Sequence, residues 1–65
     1  MMIINGESIE NLNHKTVAEY LAESGYDIKR VAVELNGDIL PKSQYEYTRL
    51  QEGDCVEIVS FVGGG

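Results

Sequence analysis

Met1-Met2-Ile3-Ile4 opens the chain as a short apolar run that stops at Asn5-Gly6. Asn-Gly is a strong hairpin signal because both positions tolerate the positive φ of a type I′ turn. Glu7-Ser8-Ile9-Glu10 therefore reads as the return strand, half polar and near a sheet edge. From Thr16 the period changes: Val17, Tyr20, Leu21 and Ser24 recur at helical spacing. Thr16-Val17-Ala18-Glu19 has the form of a capping box, and Gly25 supplies a left-handed residue to end the helix. The helix is expected over 17–24 and, at two to three turns, needs a sheet to lie on. Val31-Ala32-Val33-Glu34-Leu35 returns to a β-rich pattern and ends at a second Asn-Gly, Asn36-Gly37. Asp38-Ile39-Leu40 follows as a brief partner strand, closed by Pro41, which cannot donate to a ladder. Residues 41–50 form a loop whose Tyr45 and Tyr47 are expected to pack against the sheet. Gly53-Asp54 is the third turn signal, 55–62 the last and longest strand, and Gly63, Gly64 and Gly65 follow it.

The order is hairpin, helix, short hairpin, loop, long strand. Neither hairpin covers its own apolar face, so the helix must be the single covering layer. Placing the first and last strands side by side and parallel satisfies the right-handed crossover rule. The expected fold is α+β, a β-grasp with a mixed four- to five-stranded sheet and one helix across one face. Residues 1–65 form one domain with a flexible tail, 63–65. Val17, Leu21, Val33, Leu35, Leu50, Val56 and Ile58 are the expected core. Side chains alternate along a strand, so if Val56 and Ile58 face the helix, then Cys55, Glu57, Val59 and Phe61 face away from it. The opposite register buries Glu57 and exposes Ile58, which costs more.

Composition changes this picture little. A hydrophobic fraction of 43% fits an ordinary globular chain. The single cysteine can form no internal disulfide, so stability must come from packing. Charge adds more: eleven acids against five Lys and Arg give a net charge of −6. Nucleic acid and anionic lipid are repelled, whereas a partner with a basic surface is favoured. No apolar stretch has the length of a membrane span or a secretory leader. The expected location is cytoplasmic.

The glycine tail is the feature that folding does not explain. Three glycines are costly to order and bring no side chain to pack. At about 3.3–3.6 Å per extended residue they carry a carboxylate roughly 10 Å beyond the last strand, through a channel too narrow for a Cβ atom. A free carboxylate must be activated before it reacts, and adenylation would convert it to a mixed anhydride open to a sulfur donor. The chain has neither a G-x-x-x-x-G-K-[ST] loop nor a G-x-G-x-x-G turn, so ATP must be bound by a partner. Other candidates are weaker. Cys55 has no neighbouring His, Lys or Arg to activate it and is expected to be packed. His14 is placed in the loop ahead of the helix, without a second ligand. Ser8, Ser24, Ser43 and Ser60 lack a hydrolase motif. Glu52, Asp54 and Glu57 read as a solvated acidic face. Val59 and Phe61, with Val62, are apolar residues beside the tail and form the candidate partner surface.

The residues Val31-Ala32-Val33-Glu34-Leu35-Asn36-Gly37, Ile39, Pro41-Lys42-Ser43, Tyr45, Thr48 and Leu50 closely resemble the ThiS family, the bacterial sulfur carriers of thiamine biosynthesis. So do Glu52-Gly53-Asp54, Val56-Glu57-Ile58-Val59 and Phe61-Val62-Gly63-Gly64-Gly65. The resemblance covers the whole chain. Lys42 departs from it, since the family often has Arg there. The resemblance implies a ubiquitin-like β-grasp that is not an enzyme and binds no cofactor. It implies that Gly65 is adenylated by a partner of the ubiquitin-activating type, which uses ATP, and becomes a thiocarboxylate. Sulfur then passes to thiazole synthase for the thiazole ring of thiamine, with Gly63 and Gly64 entering both partner active sites. The sulfur donor is left unidentified. The alternatives are the related molybdopterin-type carrier and a β-grasp interaction module with an inert tail.

Overall fold

The structure is a computed structural model that describes residues 1–10 and 15–61. Five strands and one helix follow in the order β1 (Met2–Ile4), β2 (Glu7–Ile9), α1 (Val17–Glu23), β3 (Val31–Leu35), β4 (Asp38–Leu40) and β5 (Cys55–Ser60). Single 3₁₀ turns cover Ile28–Arg30 and Lys42–Gln44. The strands form one sheet in the order β2-β1-β5-β3-β4. β1 and β5 are parallel and the other neighbours antiparallel. This is the mixed β-grasp sheet that the hairpin and helix signals predicted, with the last strand of the chain at its centre.

Both Asn-Gly pairs adopt the expected turn. Asn5 and Gly6 have φ of 52° and 82°, and Asn36 and Gly37 have φ of 53° and 89°. The start of α1 is closed from two sides. The Thr16 hydroxyl accepts from the Glu19 amide, and the Glu19 carboxylate accepts from the Thr16 amide. The next two orphan amides, of Val17 and Ala18, donate to the Thr48 and Tyr45 carbonyls of the long loop. At the other end the Tyr26 amide reaches the Leu21 carbonyl and the Gly25 amide that of Ala22, with Gly25 at φ +83°. That pattern is a Schellman stop.

The core lies between α1 and the sheet face built from alternate strand residues. Met2 and Ile4 of β1, Val31 and Val33 of β3, and Val56 and Ile58 of β5 meet Val17 and Leu21 of α1, with Tyr45 and Leu50 closing the side. Leu35, expected in the core, is half-buried. It is the last residue of β3, and a helix of seven residues spans only about 10 Å, against roughly 16 Å for a five-residue strand. Tyr47 does not pack but is exposed. The Thr48 amide donates to the Gln44 carbonyl, so the loop makes a helical turn there. At about 100° per residue, side chains two positions apart point to opposite sides, and Tyr45 takes the inner one. Its phenol is held neutral above the ordinary tyrosine range by burial, partly offset by a hydrogen bond from the Val33 backbone.

Candidate functional site

Strand β5 is fixed on both sides, by β1 and by β3. Its ladder continues past Ser60, for the Phe61 amide donates to the Arg30 carbonyl at 2.7 Å. Whatever follows Phe61 is therefore launched from the most constrained strand of the sheet. The expected strand end at Val62, the tail residues Gly63, Gly64 and Gly65, and His14 lie outside the described residues.

Two asparagine side chains hold β5 in register. Asn5 Oδ1 accepts from the Ile58 amide at 2.7 Å, and Asn36 Oδ1 from the Cys55 amide at 2.8 Å. Asn36 Nδ2 also donates to Asp54, whose second carboxylate oxygen accepts from the Gln51 amide. Asp54 is thus a half-buried brace at the entrance to β5, not part of a solvated acidic face. Glu52 and Glu57 are exposed as expected. Turn propensity alone accounted for both asparagines in the sequence. Their second role depends on β5 arriving beside both turns, which local pattern does not encode.

The face of the sheet away from α1 carries the odd-numbered residues of β5. Val59 and Phe61 are 55% and 59% exposed. Cys55 lies on this face opposite Ile3 and is exposed, not packed, because it alternates with buried Val56. Val59 stands opposite Ala32, and Ile39 of β4 is 77% exposed on the same side. Beside Phe61 a groove of about 260 Å³ runs to the Pro41–Lys42 corner, with Ile39, Leu40 and Tyr45 in its walls. Lys42 Nζ donates to the Lys29 carbonyl, so its cation sits at the groove's rim. The structure thus gathers two of the predicted surface residues, Val59 and Phe61, on one uncovered apolar face beside the exit of β5. The groove, and the register that sets Glu34 opposite Glu57, were not legible beforehand.

Among the described residues no group of three His, Cys, Asp or Glu could hold a metal ion. None of their helices is long and apolar enough to cross a membrane. Among the described residues the uncovered face carries exposed Val59, Phe61 and Ile39, the groove beside Phe61, and the carboxylates of Glu34 and Glu57.

A five-stranded mixed sheet with β5 at its centre and one helix across one face defines a ubiquitin-like β-grasp protein. The chain belongs to the ThiS family, whose family model matches residues 2–65, and its role is that of a sulfur carrier in thiamine biosynthesis. It is 36% identical to the sulfur carrier protein ThiS of Bacillus subtilis, with both chains covered over 100% of their length. The crystal structure of the thiamine biosynthesis protein ThiS from Geobacter metallireducens superposes with a TM-score of 0.77 at 31% identity, over 98% of this chain and 97% of that one. A thiazole synthase of Paramagnetospirillum magneticum is 45% identical over 98% of this chain, which spans 20% of that protein's length. Carrier-like sequence thus also occurs inside a longer synthase chain.

Proposed function

We propose that the chain carries sulfur as a thiocarboxylate on Gly65 and is a protein substrate of its partner enzymes. The observation that best supports this reading is the position of β5, which is central in the sheet and rigidly paired up to Phe61. A tail leaving such a strand has a fixed origin, while the glycines themselves fit a narrow channel. In the first step a carboxylate oxygen of Gly65 attacks the α-phosphorus of ATP held by a ubiquitin-activating-type adenylyltransferase, and pyrophosphate leaves. Hydrosulfide, whose source is left unidentified, then attacks the acyl carbon, the bond to AMP breaks, and loss of the sulfur-bound proton leaves the thiocarboxylate. Thiazole synthase is the acceptor partner, a reading supported by the relative in which carrier-like sequence is part of a thiazole synthase chain. Val59 and Phe61, continued by Val62, are the surface on which these partners close, and Gly63 and Gly64 enter their active sites. No bound cofactor is required, because ATP belongs to the partner. The place of action is the cytoplasm, with 1–65 acting as one domain.

Two measurements test the reading. A mass spectrum of the protein isolated from its own cell is expected to contain a species with one terminal oxygen replaced by sulfur. A spectrum holding only the unmodified chain, under conditions that require thiamine synthesis, favours the inert module instead. Gly64→Val is expected to abolish adenylation and leave the melting temperature nearly unchanged, since the branched side chain blocks a narrow channel and leaves the residues of the core as they are. Adenylation at the normal rate would remove the channel from the argument.

A further inference from the structure

The sheet narrows where the chain leaves it. β1 stands beside β5 at Cys55 and Val56, and the Asn5 side chain extends that contact to the Ile58 amide. On the other flank β4 ends at Leu40, opposite Val33, because Pro41 follows without an amide for the ladder. Among the described residues, Val59, Ser60 and Phe61 therefore have only β3 and the turn before it alongside them. These last rows form a two-stranded ribbon, and an isolated ribbon of that kind is marginal in water. Its final bond, from the Phe61 amide to the Arg30 carbonyl at 2.7 Å, rests on the 3₁₀ turn Ile28–Arg30. The peptide joining Lys29 to Arg30 is held at both of its polar ends. The Arg30 amide donates to the Asp27 carbonyl at 2.8 Å, and the Lys29 carbonyl accepts from Lys42 Nζ at 3.1 Å. Lys42 is itself carried by a fixed segment. The Gln44 and Tyr45 amides close the Lys42–Gln44 turn onto the Pro41 and Lys42 carbonyls, and buried Tyr45 pins that turn to the core.

We propose that Lys42 is a positioning residue. By holding the Lys29 carbonyl it keeps β5 paired through Phe61, and so fixes the point from which the tail reaches the adenylating site. This deepens the proposed function above and rests on it. A cationic donor binds a carbonyl more firmly than a neutral one, but this bond is exposed, so its loss opens the ribbon locally and leaves the core intact. Each opening displaces the origin of the tail. Reaction at a carboxylate requires its oxygen to be placed closely against the atom it attacks, so the loss falls on the rate of the docked complex and not on docking itself. Lys42→Met keeps the apolar stem and removes the donor, whereas Lys42→Arg keeps cationic N–H groups for the same carbonyl.

Two measurements on wild type, Lys42→Met, Lys42→Arg and Lys15→Met test this. The first is native-state amide exchange followed by NMR. The second is carrier-dependent exchange of labelled pyrophosphate into ATP by the purified adenylyltransferase of the same organism. In Lys42→Met the Phe61 amide is expected to exchange about 3- to 10-fold faster, as loss of one exposed bond implies, with Val56 and Ile58 unchanged. Its kcat is expected to fall by a similar factor while KM stays within about twofold of wild type. Lys42→Arg is expected to restore both readouts. Lys15→Met removes the same charge away from the exit and is expected to match wild type in both. Wild-type exchange at Phe61 in Lys42→Met overturns the proposal whatever the kinetics. Faster exchange with undiminished kcat makes the bond structural only and overturns the positioning role. A raised KM at constant kcat makes Lys42 a contact with the partner and overturns it likewise. If wild type itself supports no pyrophosphate exchange, the proposed function falls and the positioning role with it, while the Phe61 amide still reports whether the bond holds the ribbon.

Discussion

Asn5 and Asn36 each do two jobs, and the second is the more demanding. As turn residues they supply positive φ, which Gly or Asp could also supply. As side chains they satisfy backbone amides of β5 at Ile58 and Cys55. The Ile58 bond is partly buried, so removing its acceptor leaves an amide without a partner where water has limited access. Asn5→Ala is expected to lower stability by about 1–3 kcal/mol in chemical denaturation, with a further penalty for alanine at positive φ. Asn5→Asp keeps an acceptor oxygen and a turn-compatible side chain and is expected to cost clearly less. If the two substitutions cost the same, the side-chain bond to β5 contributes nothing and only turn geometry matters.

At the scale of elements, α1 illustrates how a helix of seven residues persists. Isolated helices of that length are unstable in water, so its ends must be satisfied from outside. The capping box and the Schellman stop are local, but the Thr48 and Tyr45 carbonyls, which accept from Val17 and Ala18, come from a loop far along the chain beyond β3 and β4. Thr16→Ala is expected to cost about 1 kcal/mol, read from thermal or denaturant unfolding. The box also titrates. The Thr16 backbone bond, then its side-chain bond, hold the Glu19 carboxyl below its ordinary value of 4.5, with Arg49 and Lys15 assisting. A depressed folded-state value means that the stabilisation is fully present above the ordinary value and fades as pH falls through the folded one. The difference in melting temperature between wild type and Glu19→Gln is therefore expected to shrink as pH drops from neutral to well below 4.5. A difference that stays constant with pH would show that the ionised carboxylate adds nothing over the amide.

Across the whole molecule, one sheet face packs against α1 and the other is left uncovered, with Val59, Phe61 and Ile39 exposed on it. Ile58 and Phe61 lie three residues apart and test that division. Ile58 is 8% exposed against α1, and Phe61 is 59% exposed on the far side. Ile58→Ala opens a cavity and is expected to cost about 2–5 kcal/mol of stability. Phe61→Ala is expected to cost less than that, yet, on the function proposed above, to weaken binding to an adenylating partner by about 1–3 kcal/mol. Melts and titration calorimetry on both variants decide the matter. Undiminished affinity of Phe61→Ala, or a larger stability loss than for Ile58→Ala, would move the partner surface elsewhere.

The sequence by itself determined the elements, because their signals are local. Two Asn-Gly turns, a Thr-x-x-Glu box, a helix-ending glycine and alternation along 55–60 each act within a few residues. It also determined which β5 residues face the helix, since burying Glu57 in place of Ile58 would cost far more than the reverse. The apolar character of the residues before the glycines was legible for the same reason. Only the tertiary structure decided what depends on neighbours distant in sequence. It set Tyr45 inward and Tyr47 outward, put Asp54 to work as a brace, and carried Asn5 and Asn36 to β5. It opened the groove beside Phe61 and brought Glu34 to face Glu57. Pairings of this kind are fixed when strands far apart in the chain meet in one register, and no short window of sequence contains both partners.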